Sequence, residues 1–308
     1  MNDDFMKLIK KFREKLHRHY AIPGQLNNIH EALGRIESRL NNTGTFGDPR
    51  DFEFKVYSQW GEDGILDYLI SRMKIPNKVF VEFGVETYTE ANTLFLLKHR
   101  QWRGLIIDGS PVNIDLIKGG QVFWRYDLAA ECAFITRENI NALLVRNGIV
   151  GDIGLLSIDI DGNDYWVWEA ISEVNPRLIV AEYNSLLGLR SSISTPYKHD
   201  FYRTTEHPSN MYYGASIMAL TKLARSRGYT LVAGNSAGNN IFFVRNDCVG
   251  SLKAQEPSQA YVQAAFREAR SARGVVEHLS FNERQAAIAH LPVIDVTSGE
   301  QLTLGEAL

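Results

Sequence analysis

The sequence predicts a Rossmann-like α/β fold: a mostly parallel seven-stranded sheet ending in an antiparallel hairpin, with helices preceding it. Three observations carry this. Between residues 79 and 182, five short apolar runs alternate with helical patterns, as expected of parallel strands buried on both faces. Acidic residues stand at or just beyond the ends of those runs. The last two apolar runs are joined by too few residues for a parallel crossover, so they pair antiparallel.

The first fifty residues read as a helical arm. Phe5, Ile9, Phe12 and Leu16 alternate four- and three-residue spacings. After Ile22-Pro23-Gly24 the pattern resumes at Leu26, Ile29, Leu33, Ile36 and Leu40. These are a/d-like seams on two helices. They predict packing on the body or a homo-oligomer. The first helix also carries Lys7, Lys10, Lys11, Arg13, Lys15 and Arg18, which fits weak contact with an anionic membrane surface. Residues 42–51 read as a linker, rich in Gly, Pro, Asn and Asp.

From Gly61 the elements follow in order. Ile65, Leu66, Leu69, Ile70 and Met73 mark one helix face, and Val79 to Gly84 a strand ending in a turn. A helix passes through Leu94 and Leu97. Gly104 to Asp108 is the second strand, and Pro111 opens the next helix. Val122 to Tyr126 is the predicted third strand, followed by a helix over Glu131 to Arg146. Leu155 to Asp159 and Leu178 to Glu182 complete the parallel set, with a helix from Tyr165 to Ile171 between them. A helix from Ala215 to Arg227 leads into the hairpin Tyr229–Val232 and Ile241–Val244. The expected divisions are an arm over 1–50, a core domain over 51–250, and a helical and hairpin extension over 251–308. Residues 185–213 form a long polar insert of the kind that often carries function.

Composition sets bounds. The 308 residues carry a formal net charge of −3, so no basic field calls for a nucleic-acid partner. Two cysteines, Cys132 and Cys248, exclude a disulfide framework or a CxxC metal site. The charged first residues lack a signal-peptide core, and no apolar run is long enough to span a bilayer. A cytoplasmic location is expected.

In a doubly wound sheet, ligands bind at the carboxyl ends of the strands. Glu82, Asp108, Asp159 and Glu182 end four predicted strands, and Asp127 directly follows the other. The runs Ser58-Gln59-Trp60-Gly61-Glu62-Asp63, Val81-Glu82-Phe83-Gly84-Val85, Ile106-Ile107-Asp108-Gly109-Ser110-Pro111, Leu155-Leu156-Ser157-Ile158-Asp159-Ile160-Asp161-Gly162 and Ile179-Val180-Ala181-Glu182, in that order, resemble the FkbM-type class I methyltransferases over about residues 57–245. The resemblance implies an S-adenosylmethionine cofactor and a Rossmann-like methyltransferase fold. It places Gln59, Glu82, Gly84, Asp108, Ser110, Asp127 and Asp159 at the cofactor: Glu82 and Gly84 in the turn under its methionine part, Asp108 on the ribose hydroxyls, Ser110 and Asp127 near the adenine. One departure stands out. Val85-Glu86-Thr87-Tyr88 occupies the place of further glycines. The missing glycines also argue against a nicotinamide cofactor, whose pyrophosphate requires G-x-G-x-x-G.

The acceptor side then falls to the insert and the loop after the fourth strand. Asp159, Asp161, Glu182 and Asn184 are expected to converge there, and oxygen donors of this kind suit Mg²⁺. Such an ion would lower the acceptor hydroxyl's pKa; the other reading has these groups capping helices and binding ligand without metal. Asp161 and His207 are the candidate catalytic residues, His207 as general base, with His199 a second histidine in the insert. Tyr183, Tyr212 and Tyr213 are candidate walls for a sugar. The expected reaction is O-methylation of a hydroxyl on a small-molecule or glycan acceptor. Two other readings stay open. The strand-Asp-x-Asp-Gly pattern at Asp159 resembles the haloacid-dehalogenase-like phosphatases, with Asp159 as nucleophile. The altered loop after Gly84 fits a non-catalytic binding protein.

Overall fold

The computed structural model describes residues 24–43, 47–266 and 269–308. The chain divides into two compact units, Met1–Thr45 and Phe46–Leu308. In the first, one helix, α1, covers 24–43. The expected helix through Phe5, Ile9, Phe12 and Leu16 lies outside the described residues.

The second unit is built on a seven-stranded sheet. Its strands are β1 (Val79–Phe83), β2 (Arg103–Asp108), β3 (Leu128–Cys132), β4 (Gly151–Ile158), β5 (Val174–Glu182), β7 (Tyr229–Gly234) and β8 (Asn240–Arg245). They lie in the order β3-β2-β1-β4-β5-β8-β7. The first five are parallel. β8 runs antiparallel to β5 and to β7. This is the Rossmann-like methyltransferase arrangement that the sequence predicts. The order reverses between β1 and β4, which opens a crevice above their carboxyl ends.

Both sheet faces are buried, which explains the continuous apolar runs. Along β1, Val79, Val81 and Phe83 enter one core cluster while Phe80 enters the other, as the two-residue strand period requires. Helices α2 (Glu62–Ser71), α3 (Leu94–Arg100), α4 (Pro111–Gly119), α5 (Gln121–Arg125), α6 (Ile140–Arg146), α7 (Asp164–Ala170) and, after the insert, α9 (Ile217–Ser226) connect the strands. The α4 start is set locally: Ser110 Oγ accepts from Asn113 N, and Pro111 occupies the first turn, where its missing N–H leaves no bond unmade.

The third strand corrects the sequence reading. Val122 to Tyr126 is not a strand; α5 takes most of it and leaves Trp124 exposed. The true β3 begins two residues later and pairs with β2 from Gly104↔Leu128 to Asp108↔Cys132. Consequently the helix expected from Glu131 starts only at Ile140.

The insert contributes the short β6 (Ile193–Ser194) and α8 (Arg203–Glu206). The chain's last part supplies α10 (Pro257–Ala260), α11 (Phe281–Ile288), β9 (Pro292–Asp295), β10 (Gln301–Thr303) and α12 (Leu304–Ala307). β6, β9 and β10 form a second, three-stranded sheet. Leu186, Leu187, Ile193 and Met211 of the insert share a core with Ile288, Val293 and Leu304. Residues 251–308 therefore belong to the same compact unit as the central sheet and complete the insert. No helix among the described residues is long and apolar enough to cross a membrane.

Candidate active site

A cleft of about 570 Å³ opens at the switch point. Gly84, Glu86, Asp108, Gly109 and Ser110 line one part of it. Phe134 and Ile135 line another, and Asp159, Asp161 and Asn163 a third. Phe201, Tyr202, Arg203, Thr204 and Asn210 of the insert also line it. Its size suits a cofactor-sized ligand.

Asp108 ends β2 with its carboxylate fixed from three directions. Oδ2 accepts from Glu86 N at 2.8 Å, and Oδ1 from Ser110 N at 2.8 Å and Asn113 Nδ2 at 3.2 Å. Those bonds orient the group and leave one acceptor site, on Oδ2, for a ligand's hydroxyl. Gly84 stands at φ +68°, and a β-carbon there would meet the carbonyl oxygen of Asp159. Only glycine fits this approach of β1 to the β4 loop. Beyond it, Glu86 and Tyr88 take φ values of 47° and 56°. The loop thus keeps glycine-type left-handed conformations without glycines, at a strain of about 1–2 kcal/mol per residue. Its anchor is Glu82, whose carboxylate accepts from Asn92 N, Thr93 N and the Thr93 hydroxyl. Burial pushes the Glu82 carboxyl up to about 7, with its hydrogen bonds opposing.

On the other side, Asp159, Asp161 and Glu182 bring carboxylate oxygens within 4.8 Å of one another. Burial and then the Asp161 charge raise the Asp159 carboxyl well above the usual range. Burial and then Asp159 do the same to Glu182. Like charges this close oppose each other's ionisation, and a proton or a cation between Asp159 and Glu182 relieves the repulsion. Arg203 supplies part of that cation. Its guanidinium lies 2.6 Å from Asp161 Oδ1 and stacks 3.6 Å from the centre of the Tyr213 ring, and its Nε donates to Asn210 O at 2.9 Å. Asp161 sits at φ +54°, and its side chain is exposed. Asp164 closes the loop beneath: its two oxygens accept from Ile160 N and Gly162 N, and burial pushes its carboxyl up to about 6.

Three buried acceptors around this region have no hydrogen-bond partner: Glu182 Oε2, Asn163 Oδ1 and Asn210 Oδ1. A buried polar atom left unpaired is expensive, and Glu182 Oε2 is the one that lies with the carboxylate group. The donor set fits a hard divalent ion: Asp159, Asp161 and Glu182 would hold it, and an unpartnered Glu182 oxygen is already buried among them.

Of the residues singled out in the sequence, Gly84, Asp108, Ser110, Asp159 and Asp161 line the cleft, and Glu182 adjoins it. The others do not. Asp127 precedes β3 instead of following it, and its carbonyl accepts from Gly104 N at the start of β2, which puts it at the opposite end of the sheet. Gln59 is exposed, its carbonyl bound by Lys55 Nζ. Glu82 is buried under the loop it anchors. The Asn184 side chain is taken up by backbone: it accepts from Leu186 N and donates to Met211 O and Tyr213 O. His207 turns away; its Nδ1 meets Ser209 Oγ at 2.7 Å and its ring packs against His290. The Tyr183 and Tyr212 hydroxyls donate to Val262 O and Pro292 O, so these rings brace the C-terminal segment. Arg203, Asn163 and Asn210 were not singled out. The signal available was only that Arg203 is one of the basic residues of a polar insert that follows an acid-ended strand.

No protein-family model and no curated protein sequence matches the chain. Among solved structures, it is similar to the N-terminal domain of EvdMO1 with SAH bound, at 11% identity and a TM-score of 0.40, over 68% of this chain and 82% of that one. It is similar to the CurJ carbon methyltransferase at 10% and 0.39, over 64% and 57%. An S-adenosylmethionine-dependent methyltransferase from Clostridium acetobutylicum ATCC 824 aligns at 10% and 0.37, over 60% and 90%. With identities of 10–11% and TM-scores of at most 0.40, none of these transfers a cofactor, a substrate or a residue's role to this chain.

Proposed function

We propose that the protein is an S-adenosylmethionine-dependent O-methyltransferase acting on a hydroxyl, with a sugar or glycan as acceptor. The observation that carries this is the pairing, in one cleft, of the fixed Asp108 carboxylate with Asp159 and Asp161, which Glu182 adjoins. The free Oδ2 site of Asp108 suits a ribose hydroxyl of the cofactor, and Gly84 lets the chain approach its methionine part. The cofactor, when bound, supplies an electrophilic methyl on sulfur. The acidic group and the insert then orient the acceptor oxygen in line with that methyl. A C–O bond forms, the C–S bond breaks, and the hydroxyl proton passes to a carboxylate or to solvent. A divalent ion held by the three carboxylates would make that hydroxyl more acidic. Asn163 and Asn210 line the same cleft and add polar groups on the side of a polyhydroxylated ligand.

Calorimetric titration with S-adenosylhomocysteine, with and without Mg²⁺, is the direct test. Micromolar binding is the expected result, and tighter binding with Mg²⁺ would assign the ion. No binding in either condition would overturn the methyltransferase reading and turn attention to phosphate-analogue trapping at Asp159. A mass gain of one methyl on a member of a sugar panel would support the acceptor class.

A further inference from the structure

The α1 helix carries a feature independent of the cleft and of its proposed function. Leu26, Ile29, Leu33, Ile36 and Leu40 repeat at alternating spacings of three and four. All five are exposed, between 50% and 64%. Gly34 and Ser38, on the opposite side of the helix, are buried. The apolar stripe is therefore the exposed side of the helix. A stripe of large aliphatic residues at this spacing is the seam of a coiled coil.

We infer that this seam associates with copies of the same chain, and that it assembles more than two of them. The residue types decide the number. Leucine occupies every a position (26, 33, 40) and isoleucine both d positions (29, 36). Leucine at a with isoleucine at d favours bundles of three or four helices, whereas isoleucine at a with leucine at d favours two. Length points the same way. The helix covers residues 24–43, about 30 Å of helix, and a two-stranded pairing of five side chains makes a small interface. In a larger bundle each helix meets two neighbours. The flanking e and g positions do not oppose self-association: His30, Ala32, Glu37 and Arg39 carry one charge of each sign at neutral pH, so no like-charged row would face its own copy. The matching pattern on every copy makes the contact closed and symmetric.

The test is the mass of the full chain in solution by light scattering or sedimentation, at tens of micromolar. The expected mass is three or four times the chain's 34.8 kDa. The double variant L33K/I36K is expected to run as a single chain with an unchanged melt of the Phe46–Leu308 unit. A native protein that runs as one chain would overturn the inference. A dimer would overturn the assembly number. A second variant, exchanging leucine for isoleucine at 26, 33 and 40 and isoleucine for leucine at 29 and 36, keeps the seam apolar. It is expected to shift the mass down to two chains; an unchanged mass would show that the seam does not set the assembly.

Discussion

A β-carbon on Gly84 would stand 1.8 Å from the carbonyl oxygen of Asp159. The end of β1 and the loop after β4 are thus pressed together at the point where the cleft begins. The same contact sets the height of the loop that carries Glu86 towards Asp108.

Gly84→Ala should therefore destabilise the protein as well as weaken ligand binding. A left-handed alanine costs about 1–2 kcal/mol, and forcing the two backbones apart adds about 1–3 kcal/mol. The expected loss is about 2–5 kcal/mol, read from the midpoint of urea unfolding. A midpoint equal to that of the parent would mean that strand and loop are not in contact in solution.

Asp108→Ala should weaken S-adenosylhomocysteine binding at least about tenfold, since hydrogen bonds to a charged group contribute about 1.5–3 kcal/mol each. Part of the loss would come from the loop, because Glu86 N and Ser110 N lose their acceptor. Asp108→Asn keeps one oxygen and should lose less. Calorimetry giving the same affinity for all three proteins would remove Asp108 from the ribose.

How much of this was legible follows from burial. β1, β2, β4 and β5 lie between other strands and under helices, so their apolar runs are unbroken in the sequence. β3 lies at the sheet edge with one neighbour, and Leu128-Ala129-Ala130-Glu131-Cys132 is only partly buried. Its composition carries little hydrophobic signal, and the stronger run beside it, Val122 to Tyr126, belongs to α5 and the residue after it. That displacement moved Asp127 to the wrong end of the sheet. The acids at 108, 159, 161 and 182 were legible because strand ends and the loops just after them are fixed by topology. Arg203, Asn163 and Asn210 were not, because the insert has no period from which to place a side chain.

The buried acids set a pH dependence of stability. Burial raises the Glu82 carboxyl from 4.5 to about 7 and that of Asp63 from 3.8 to about 6. Between the unfolded and folded values the native state holds more protons than the unfolded chain, so stability falls as pH rises through this range. The contribution is fully present below about pH 4 and lost by about pH 7, in sequence from Asp63 to Glu82. Thermal melts of the ligand-free protein should drop between about pH 5 and pH 8. Glu82→Gln resembles the protonated acid and can donate to the Thr93 hydroxyl, so it should flatten the upper part of the decline. A melt that rises over this interval, or a Glu82→Gln curve parallel to the parent, would contradict the assignment.

Asp161 and His207 were paired as candidates in the sequence, and the structure separates them. Asp161 lines the cleft and faces Arg203, whereas His207 is held by Ser209 and His290, and burial followed by the His290 charge lowers its pKa. Asp161→Asn should cut turnover at least about tenfold while S-adenosylhomocysteine affinity stays within about threefold, because the lost charge lies on the acceptor side. Equal losses in both would move Asp161 into the cofactor site. His207→Ala should leave turnover within about twofold. A general base contributes about 10²–10⁴-fold, so a loss of that size on His207→Ala would mean that the insert rearranges to bring His207 over the acceptor, and that Arg203 does not hold its present place during catalysis.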